Sequence, residues 1–270
     1  MISDFANESL LQEICVITTT AGQAIMDVYR QGNLRIQLKS DATPVTVADL
    51  AANDIIVQAL GQIKPTIMII SEESLKQNHA PEKRLHVQDM WLVDPLDGTK
   101  EFIKGSDEFT VNIALVRNHE PILGVVYAPA LGILYAAVRG GSAWKRDAAG
   151  HITTLKTKPP IGPLRVVASR SHTDERTDAW LAKIGPHERK AVGSSLKLCY
   201  VADGSADVYP RFVPTMEWDT AAADAVLRVA GGTVVVPGEH APMLYNKDNL
   251  LQPSFIAVSS SALLKELPTS

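Results

Sequence analysis

Apolar residues near the start of the chain recur at steps of three and four positions. The residues concerned are Leu10, Ile14, Ile17, Ala21, Ile25 and Val28. This spacing places them on one face of a helix, so we predict a long amphipathic helix here. A second helix is predicted through "ADLAANDIIVQALGQ", ending near Gly61, because apolar positions again alternate with polar ones at helical spacing.

Two short apolar runs follow the second helix, and each ends in acidic residues. The runs are "TIMIISEES" and "MWLVDPLDGT", and both have the length and content of buried strands. Glu72 and Asp94 come directly after these runs. In α/β folds, the carboxyl ends of strands are where ligands bind, which makes these acids candidates for a functional site.

The pattern after Gly105 changes to a series of short strands separated by turn residues. The predicted strands are "TVNIALVR", "ILGVVYAP", "GILYAAVR" and "SAWKR", which indicate an antiparallel sheet. Residues 121–138 carry no charge and approach the length of a membrane span. Pro129 and Gly132 interrupt this run, so we interpret it as two strands joined by a turn.

The polar, proline-rich segment from Arg146 to Pro163 is the best candidate boundary within the chain. We predict an amino-terminal α+β lobe over 1–160, with most of the site acids, and a carboxyl-terminal α/β lobe over 161–270. The second lobe is predicted to alternate strands with helices, including an alanine-rich helix that starts beside Asp219 and ends at Gly231. The fold class is therefore mixed α/β (α+β), built from layers.

Composition excludes some classes of function. The formal charge of −4 and the pI near 6.0 argue against a partner that is a nucleic-acid polymer, which would call for a basic surface. Two cysteines inside apolar stretches predict buried free thiols. No secretory leader is visible, so we expect a cytoplasmic protein. Peripheral association with the inner face of the membrane through the first helix stays open, as does the choice between monomer and dimer.

Several acidic residues fall at the ends of predicted elements. Carboxylates gathered in one place repel each other unless a cation or a proton neutralises them. Oxygen-rich clusters suit hard ions such as Mg²⁺, so a magnesium site is the simplest reason to bring these residues together. The acids concerned are Asp49, Glu72, Glu73, Asp94, Asp97 and Asp219.

The segment "DPLDGT" carries most of this candidate chemistry. Asp94 and Asp97 flank a proline-restrained turn, so both carboxylates and the Leu96 carbonyl can point to one place. Gly98 and Thr99 lead into a predicted helix whose backbone N–H groups can bind a phosphate oxygen. The alternative is that these residues only cap a helix and form a turn, since Asp, Gly and Thr are common in both places.

Four motifs in register resemble those of the lithium-sensitive, Mg²⁺-dependent phosphatases of the inositol monophosphatase and fructose-1,6-bisphosphatase type. The motifs are "PVTVAD", "SEES", "WLVDPLDGT" and "EWDTAAADAVLRVAGG". Within that family, "DGTKEF", "SRSH", "GSSLK" and "ADVYPRF" resemble the 3'(2'),5'-bisphosphate nucleotidase branch. The resemblance implies a layered αβαβα sandwich. Ser71 stands where inositol phosphatases tend to have glycine, a difference expected to have little effect.

The resemblance also implies a role for each motif residue. Glu72, Asp94 and the Leu96 carbonyl would hold one Mg²⁺ ion, while Asp94, Asp97 and Asp219 would hold a second. Asp49 and Thr99 would position the attacking water and help to deprotonate it. Glu72 would share in catalysis and could contact a third, weaker ion, so the number of ions is two with three as the alternative.

The implied substrate is a small nucleotide bisphosphate, adenosine 3',5'-bisphosphate, with its sulfated precursor as a second candidate. Its reacting phosphate would lie against the metal-site residues Glu72, Leu96, Asp97 and Asp219, beside Gly98 and Thr99. Its second phosphate needs positive charge and hydroxyl groups nearby. The candidate residues for that role are Arg170, His172, Ser194, Ser195, Lys197 and Arg211.

Two other functions stay open at this point. An inositol monophosphatase of broad specificity would share the same metal residues. A nucleotide-binding module without catalysis would share the fold alone. The complete set of acids favours an enzyme over the second alternative.

Overall fold

The computed structural model of the chain describes residues 6–32, 36–38, 44–74, 80–170, 174–239 and 241–268. Short 3-10 turns lie at Glu72–Ser74 and Ser261–Lys265. In chain order the elements are α1 (Glu8–Gln31), β1 (Gln37–Leu38), β2 (Pro44–Val45), α2 (Val47–Ile63), β3 (Met68–Ser71), α3 (Pro81–Arg84), β4 (Asp89–Asp97), α4 (Thr99–Ile103), β5 (Thr110–Arg117), β6 (Glu120–Ala128), β7 (Ile133–Val138), β8 (Ala143–Arg146), β9 (Ile152–Thr154), β10 (Leu164–Ser169), α5 (Glu175–Lys183), β11 (His187–Val192), α6 (Leu196–Ala202), β12 (Val208–Arg211), β13 (Thr215–Met216), α7 (Glu217–Ala230), β14 (Thr233–Val235), β15 (Leu251–Gln252) and β16 (Phe255–Val258).

Two large sheets form the framework. The first has seven strands in the order β3-β4-β5-β6-β7-β8-β9, in which only β3 and β4 run parallel. The second has five strands in the order β11-β10-β12-β16-β14, with β10 parallel to both of its neighbours. The predicted meander after Gly105 is thus confirmed as strands β5 to β8.

Helices cover both sheets and fill the space between them. Helices α1 and α2 pack on one face of the seven-stranded sheet, and α7 packs on its other face. Helix α6 contacts α7 and the strands β10, β12 and β16 of the second sheet. On the far side of that sheet, Trp180 of α5 and Leu263 of the last 3-10 turn join an apolar cluster with β10 and β16. The predicted αβαβα layering is confirmed.

The alanine-rich composition of α7 follows from how closely it approaches the first sheet. A β-carbon on Gly124 of β6 would lie 2.1 Å from the Ala222 carbonyl oxygen, so only glycine fits there. Small residues on the helix and glycine on the strand let the two backbones nearly touch. This contact fixes the position of α7, which carries Asp219 in its first turn.

Strand β11 was not predicted from the sequence. It is an edge strand that reads "HERKAV", with three exposed charged side chains in a row, Glu188, Arg189 and Lys190, and without the alternation of apolar and polar residues that marks a strand. Charged residues on an edge strand prevent pairing with other chains, which explains the pattern. The uncharged run 121–138 forms β6 and β7 as expected. The division into lobes near residue 160 stays a prediction.

Among the residues described, no helix combines the length and the apolar character that a membrane crossing requires.

Candidate active site

Three carboxylates meet where β3 ends beside β4. The parallel pairing of Ser71 with Val93 places Glu72, directly after β3, next to Asp94, which lies within β4 and not past its end as the sequence indicated. Asp219 reaches the same place from the first turn of α7. One carboxylate oxygen from each of Glu72, Asp94 and Asp219 lies within 4.8 Å of the other two.

A break in the pairing of β4 directs Asp97 into the same region. The register of β4 with β5 shifts between Asp94 and Asp97, at the position of Pro95, which has no N–H to donate. The Leu96 N–H donates to Asp94 Oδ1 at 3.1 Å, which fixes the Asp94 side chain. Asp97 Oδ2 accepts a hydrogen bond from the Ser195 N–H at 2.5 Å.

Burial and mutual repulsion raise the pKa values of the central carboxyl groups. Burial is the largest cause for Asp94, whose pKa lies well above its usual range, and the neighbouring charges of Glu72 and Asp97 add to it. Burial and the charge of Asp219 raise the pKa of Asp97 to about 7, against the opposing effect of Lys197. The carboxylates thus repel one another, and their all-oxygen donor set matches what a hard divalent cation needs.

Asp49 and Thr99 form a second arrangement beside the carboxylates. Thr46 and Asp49 make a capping box at the start of α2, in which Asp49 Oδ2 accepts from the Thr46 N–H at 2.7 Å and from its hydroxyl at 2.6 Å. Thr99 Oγ1 lies 3.2 Å from Asp49 Oδ1, to which it can donate, and 3.3 Å from the Leu96 carbonyl oxygen. Asp49 is thereby held in a single orientation with one oxygen facing Thr99.

A cavity of about 220 Å³ opens over these residues. Most of the residues predicted for metal or substrate binding line it. The predicted residues in the lining are Glu72, Asp94, Leu96, Asp97, Gly98, Thr99, Ser194, Ser195, Lys197, Arg211 and Asp219. Asp49 and Arg170 are not part of the lining, and His172 lies outside the residues that the structure describes.

The segment from Gly193 to Lys197, which leads into the first turn of α6, has polar groups with different partners. The Ser195 hydroxyl is buried against the first sheet, 2.8 Å from both Asn112 Oδ1 and Thr110 Oγ1. The Lys197 ammonium group donates to the carbonyl oxygens of Val192 at 3.3 Å and Ser194 at 2.5 Å. Ser194 Oγ is buried and has no hydrogen-bond partner among the described residues, although Ser194 itself lines the cavity.

The two arginines of the predicted second-phosphate site differ in their surroundings. Arg211, at the end of β12, lines the cavity and donates to the carbonyl oxygens of Val213 and Pro214, both at 3.1 Å. Arg170 is more exposed and pairs with Glu108, with Nη2 2.9 Å from Oε1. Lys197 and Arg211 thus place positive charge at the cavity wall, whereas Arg170 is held at its edge.

The structure places further residues at the candidate active site that were not named as site residues from the sequence. Thr215 donates its hydroxyl to Asp219 Oδ2, and the Met216 N–H donates to the same oxygen at 2.8 Å. A threonine or serine three or four residues before an acid at a helix start is a readable signal, and it also marks Thr46. Glu101 and Tyr209 line the cavity as well; they lie within the motifs "DGTKEF" and "ADVYPRF" but were not named as site residues.

Stabilisation by Mg²⁺ is expected to increase with pH. A raised carboxyl pKa means that the folded metal-free protein keeps protons that the unfolded chain releases between about pH 4 and pH 7, so this contribution to stability is lost as pH rises through about 7. Mg²⁺ must displace the same protons, so its apparent affinity should fall by up to about tenfold per pH unit for each proton below about pH 7. Thermal unfolding with Mg²⁺ and with EDTA should show a larger difference in Tm at about pH 8 than at about pH 6. An equal difference at both values would contradict the metal assignment.

Comparisons with known proteins agree with this geometry. The model of the inositol monophosphatase family matches residues 6–268. The chain is 46% identical over 228 residues to the 3'(2'),5'-bisphosphate nucleotidase CysQ of Salmonella typhimurium, covering 83% of this chain and 89% of that protein. It is 44% identical over 250 residues to CysQ of Escherichia coli K12, covering 91% and 98%.

A solved structure gives the same result for the fold. The crystal structure of CysQ from Bacteroides thetaiotaomicron superposes with a TM-score of 0.82 at 39% identity, covering 93% of this chain and 97% of that chain. The resemblance stated from the motifs, including its bisphosphate nucleotidase branch, is confirmed. The chain belongs to the inositol monophosphatase family.

Proposed function

We propose that this chain is a Mg²⁺-dependent 3'(2'),5'-bisphosphate nucleotidase that hydrolyses the 3'-phosphate of adenosine 3',5'-bisphosphate to give AMP and inorganic phosphate. The observation that carries the proposal is a cluster of three carboxylates in a cavity that also presents Lys197 and Arg211. The relatives named 3'(2'),5'-bisphosphate nucleotidase CysQ, at 44% and 46% identity over most of the chain, support the substrate class. The sulfated precursor is proposed as a second substrate.

The residues that would hold the cations are those that the geometry brings together. Glu72, Asp94 and the Leu96 carbonyl would bind one ion, and Asp94, Asp97 and Asp219 a second, with Asp94 between them. A third ion beside Glu72 is the alternative. When bound, such ions supply positive charge that stabilises the phosphoryl group and lower the pKa of a coordinated water.

Asp49 and Thr99 are arranged to take a proton from the attacking water. Because the Thr99 hydroxyl can donate to Asp49 Oδ1, its remaining lone pair can accept a hydrogen bond from a water in the cavity. The water proton then passes to Thr99 Oγ1 as the Thr99 proton moves to Asp49. The water oxygen bonds to phosphorus, and the bond from phosphorus to the 3'-oxygen breaks with its electron pair passing to that oxygen. The 3'-oxygen then takes a proton from solvent water to give the 3'-hydroxyl of AMP, and no covalent enzyme intermediate is required.

The basic and hydroxyl residues of the cavity lining would bind the second phosphate. Arg211 brings a guanidinium group, which suits phosphate oxygens, and Ser194 brings an unused hydroxyl. Lys197 is buried and donates to the carbonyl oxygens of Val192 and Ser194. It therefore acts on the ligand mainly through its charge and by fixing the segment that carries Ser194. His172 is included in the proposed second-phosphate site on the basis of the "SRSH" motif alone.

Identification of the product tests which phosphate is removed. Phosphorus NMR of adenosine 3',5'-bisphosphate incubated with the protein and Mg²⁺ should show inorganic phosphate and AMP, with the 5'-phosphate signal retained. Formation of adenosine 3'-monophosphate would show that the nucleotide binds in the opposite orientation. It would refute the roles assigned to the metal-site residues and to the second-phosphate residues.

Inhibition by lithium is expected from the family resemblance. Li⁺ should compete for the second ion position, between Asp97 and Asp219, and lower the rate of phosphate release at millimolar concentration. Titration of Li⁺ at several fixed concentrations of Mg²⁺ measures this effect. Full activity in millimolar Li⁺ would count against the assignment of that position.

A further inference from the structure

Glu108 lies beside the cavity and binds two groups at once. Its Oε2 atom accepts a hydrogen bond from the Gly193 N–H at 2.7 Å, and its Oε1 atom accepts one from Arg170 Nη2 at 2.9 Å. Gly193 lines the cavity, and so does Ser169, the neighbour of Arg170 in the chain. The guanidinium group of Arg170 is therefore held two hydrogen bonds away from the cavity wall.

The two ends of this pair differ in how firmly they are fixed. The Glu108 side chain is 19% exposed and the Arg170 side chain 52%. The Glu108 backbone is packed so tightly on the loop that a β-carbon at Gly193 would lie 2.8 Å from the Glu108 carbonyl oxygen. Glu108 is thus anchored to the loop. Arg170 is held by its ion pair with Glu108 and by a hydrogen bond from Nη2 to the Ala191 carbonyl oxygen at 3.1 Å. An exposed ion pair of this kind is a weak interaction and easily exchanged.

We propose that Glu108 is a specificity residue that holds Arg170 while the second phosphate is absent and releases it when that phosphate arrives. This inference rests on the proposed function. A phosphate dianion offers a guanidinium group more charge and more acceptor oxygens than a carboxylate, so it takes Arg170 over from Glu108. A monophosphate that lacks the second phosphate cannot replace Glu108 as the partner of Arg170, so the ion pair stays intact.

The exchange sets the affinity for the second phosphate. Competition by Glu108 weakens the binding of every ligand that must recruit Arg170, including the product AMP. The loss in binding free energy equals the free energy of the ion pair between Arg170 and Glu108. The carboxylate therefore favours release of the product, at some cost in substrate affinity. Removal of the competition should raise the preference of the enzyme for the bisphosphate over a monophosphate.

The substitution Glu108→Gln separates the two contacts of this residue. The glutamine oxygen can still accept the Gly193 N–H, so the loop keeps its anchor, whereas the amide nitrogen cannot accept from Arg170. Glu120→Gln is a matched control. Glu120 pairs with Arg139 at 2.8 Å, with side chains 42% and 34% exposed, and neither residue lines the cavity.

The test compares KM for adenosine 3',5'-bisphosphate with KM for adenosine 3'-monophosphate, which lacks the 5'-phosphate. In Glu108→Gln, the preference for the bisphosphate is expected to rise about two- to fivefold, as the strength of an exposed ion pair allows. Glu120→Gln should leave the preference unchanged. In an Arg170→Gln background, the added Glu108→Gln change should have no further effect, because the competition no longer exists.

Four results would overturn this inference. A lower preference for the bisphosphate in Glu108→Gln would mean that the pair positions Arg170 for the phosphate. An equal gain in the Arg170→Gln background would mean that Arg170 is not involved. A normal rate with unchanged preference in Glu108→Gln would refute the inference alone, whereas a wild-type protein inactive on the bisphosphate would refute the proposed function as well.

Discussion

Replacement of Asp94 by asparagine is expected to lower kcat/KM for phosphate release by about a thousandfold or more. Asp94 is the buried acid of the cluster, within 4.8 Å of both Glu72 and Asp219, and it is the one ligand assigned to both ions. Asparagine has nearly the same shape and can still accept the Leu96 N–H. The change therefore removes the charge that holds the cations and little else.

The same variant should show that the loss does not come from unfolding. In the metal-free protein, the raised pKa of Asp94 means that its ionised form is opposed by burial and by its acidic neighbours. Asparagine removes this opposition, so Asp94→Asn in EDTA should be at least as stable to heat as the wild type. The gain in Tm on adding Mg²⁺ should become smaller. Normal turnover in Asp94→Asn would refute the metal site.

Replacement of Asp49 by asparagine is expected to lower kcat by about a hundredfold while the Mg²⁺ requirement changes little. Asp49 is outside the lining of the cavity and reaches the reaction through the Thr99 hydroxyl, 3.2 Å from its Oδ1 atom. Asparagine fits the same space but is too weak a base to take the Thr99 proton. The kinetic result should therefore differ in kind from that of Asp94→Asn.

A double-variant cycle tests whether Asp49 and Thr99 act as one unit. Thr99→Val should cause a loss similar to that of Asp49→Asn, since either change interrupts the transfer of the proton. The double variant should then be about as active as the single ones, because residues that act together have non-additive effects. Losses that multiply would show that the two residues act separately, and a large rise in the Mg²⁺ requirement would assign Asp49 to the metal.

The layers and the acids of this protein were predictable because they depend on local patterns. Steps of three and four marked α1, and apolar runs that end in acids marked β3 and β4, whose parallel pairing then places Glu72 next to Asp94. Asp219 lies more than a hundred residues away in the sequence; its position at a helix start made it one of the candidate acids, and the family motif assigned it to the same ion as Asp94. Local patterns thus predicted a metal site, and the resemblance predicted which acids share each ion.

The orientation of the second-phosphate residues was not predictable in this way. Ser194 and Ser195 are neighbours in one motif, yet the Ser195 hydroxyl faces Asn112 on the first sheet while Ser194 Oγ is left without a partner among the described residues. The pairing of Arg170 with Glu108 joins positions 62 residues apart. Such contacts depend on how the two sheets meet, which no spacing along the chain specifies.

The most direct test of the central claim is phosphate release by the purified protein in Mg²⁺, with adenosine 3',5'-bisphosphate and inositol 1-phosphate compared side by side. We predict a strong preference for the nucleotide in kcat/KM, because Arg211, Lys197 and Ser194 have a second phosphate to bind only in that substrate. Equal or better turnover of inositol 1-phosphate would be consistent with the metal site. It would contradict the second-phosphate site and favour an inositol monophosphatase of broad specificity.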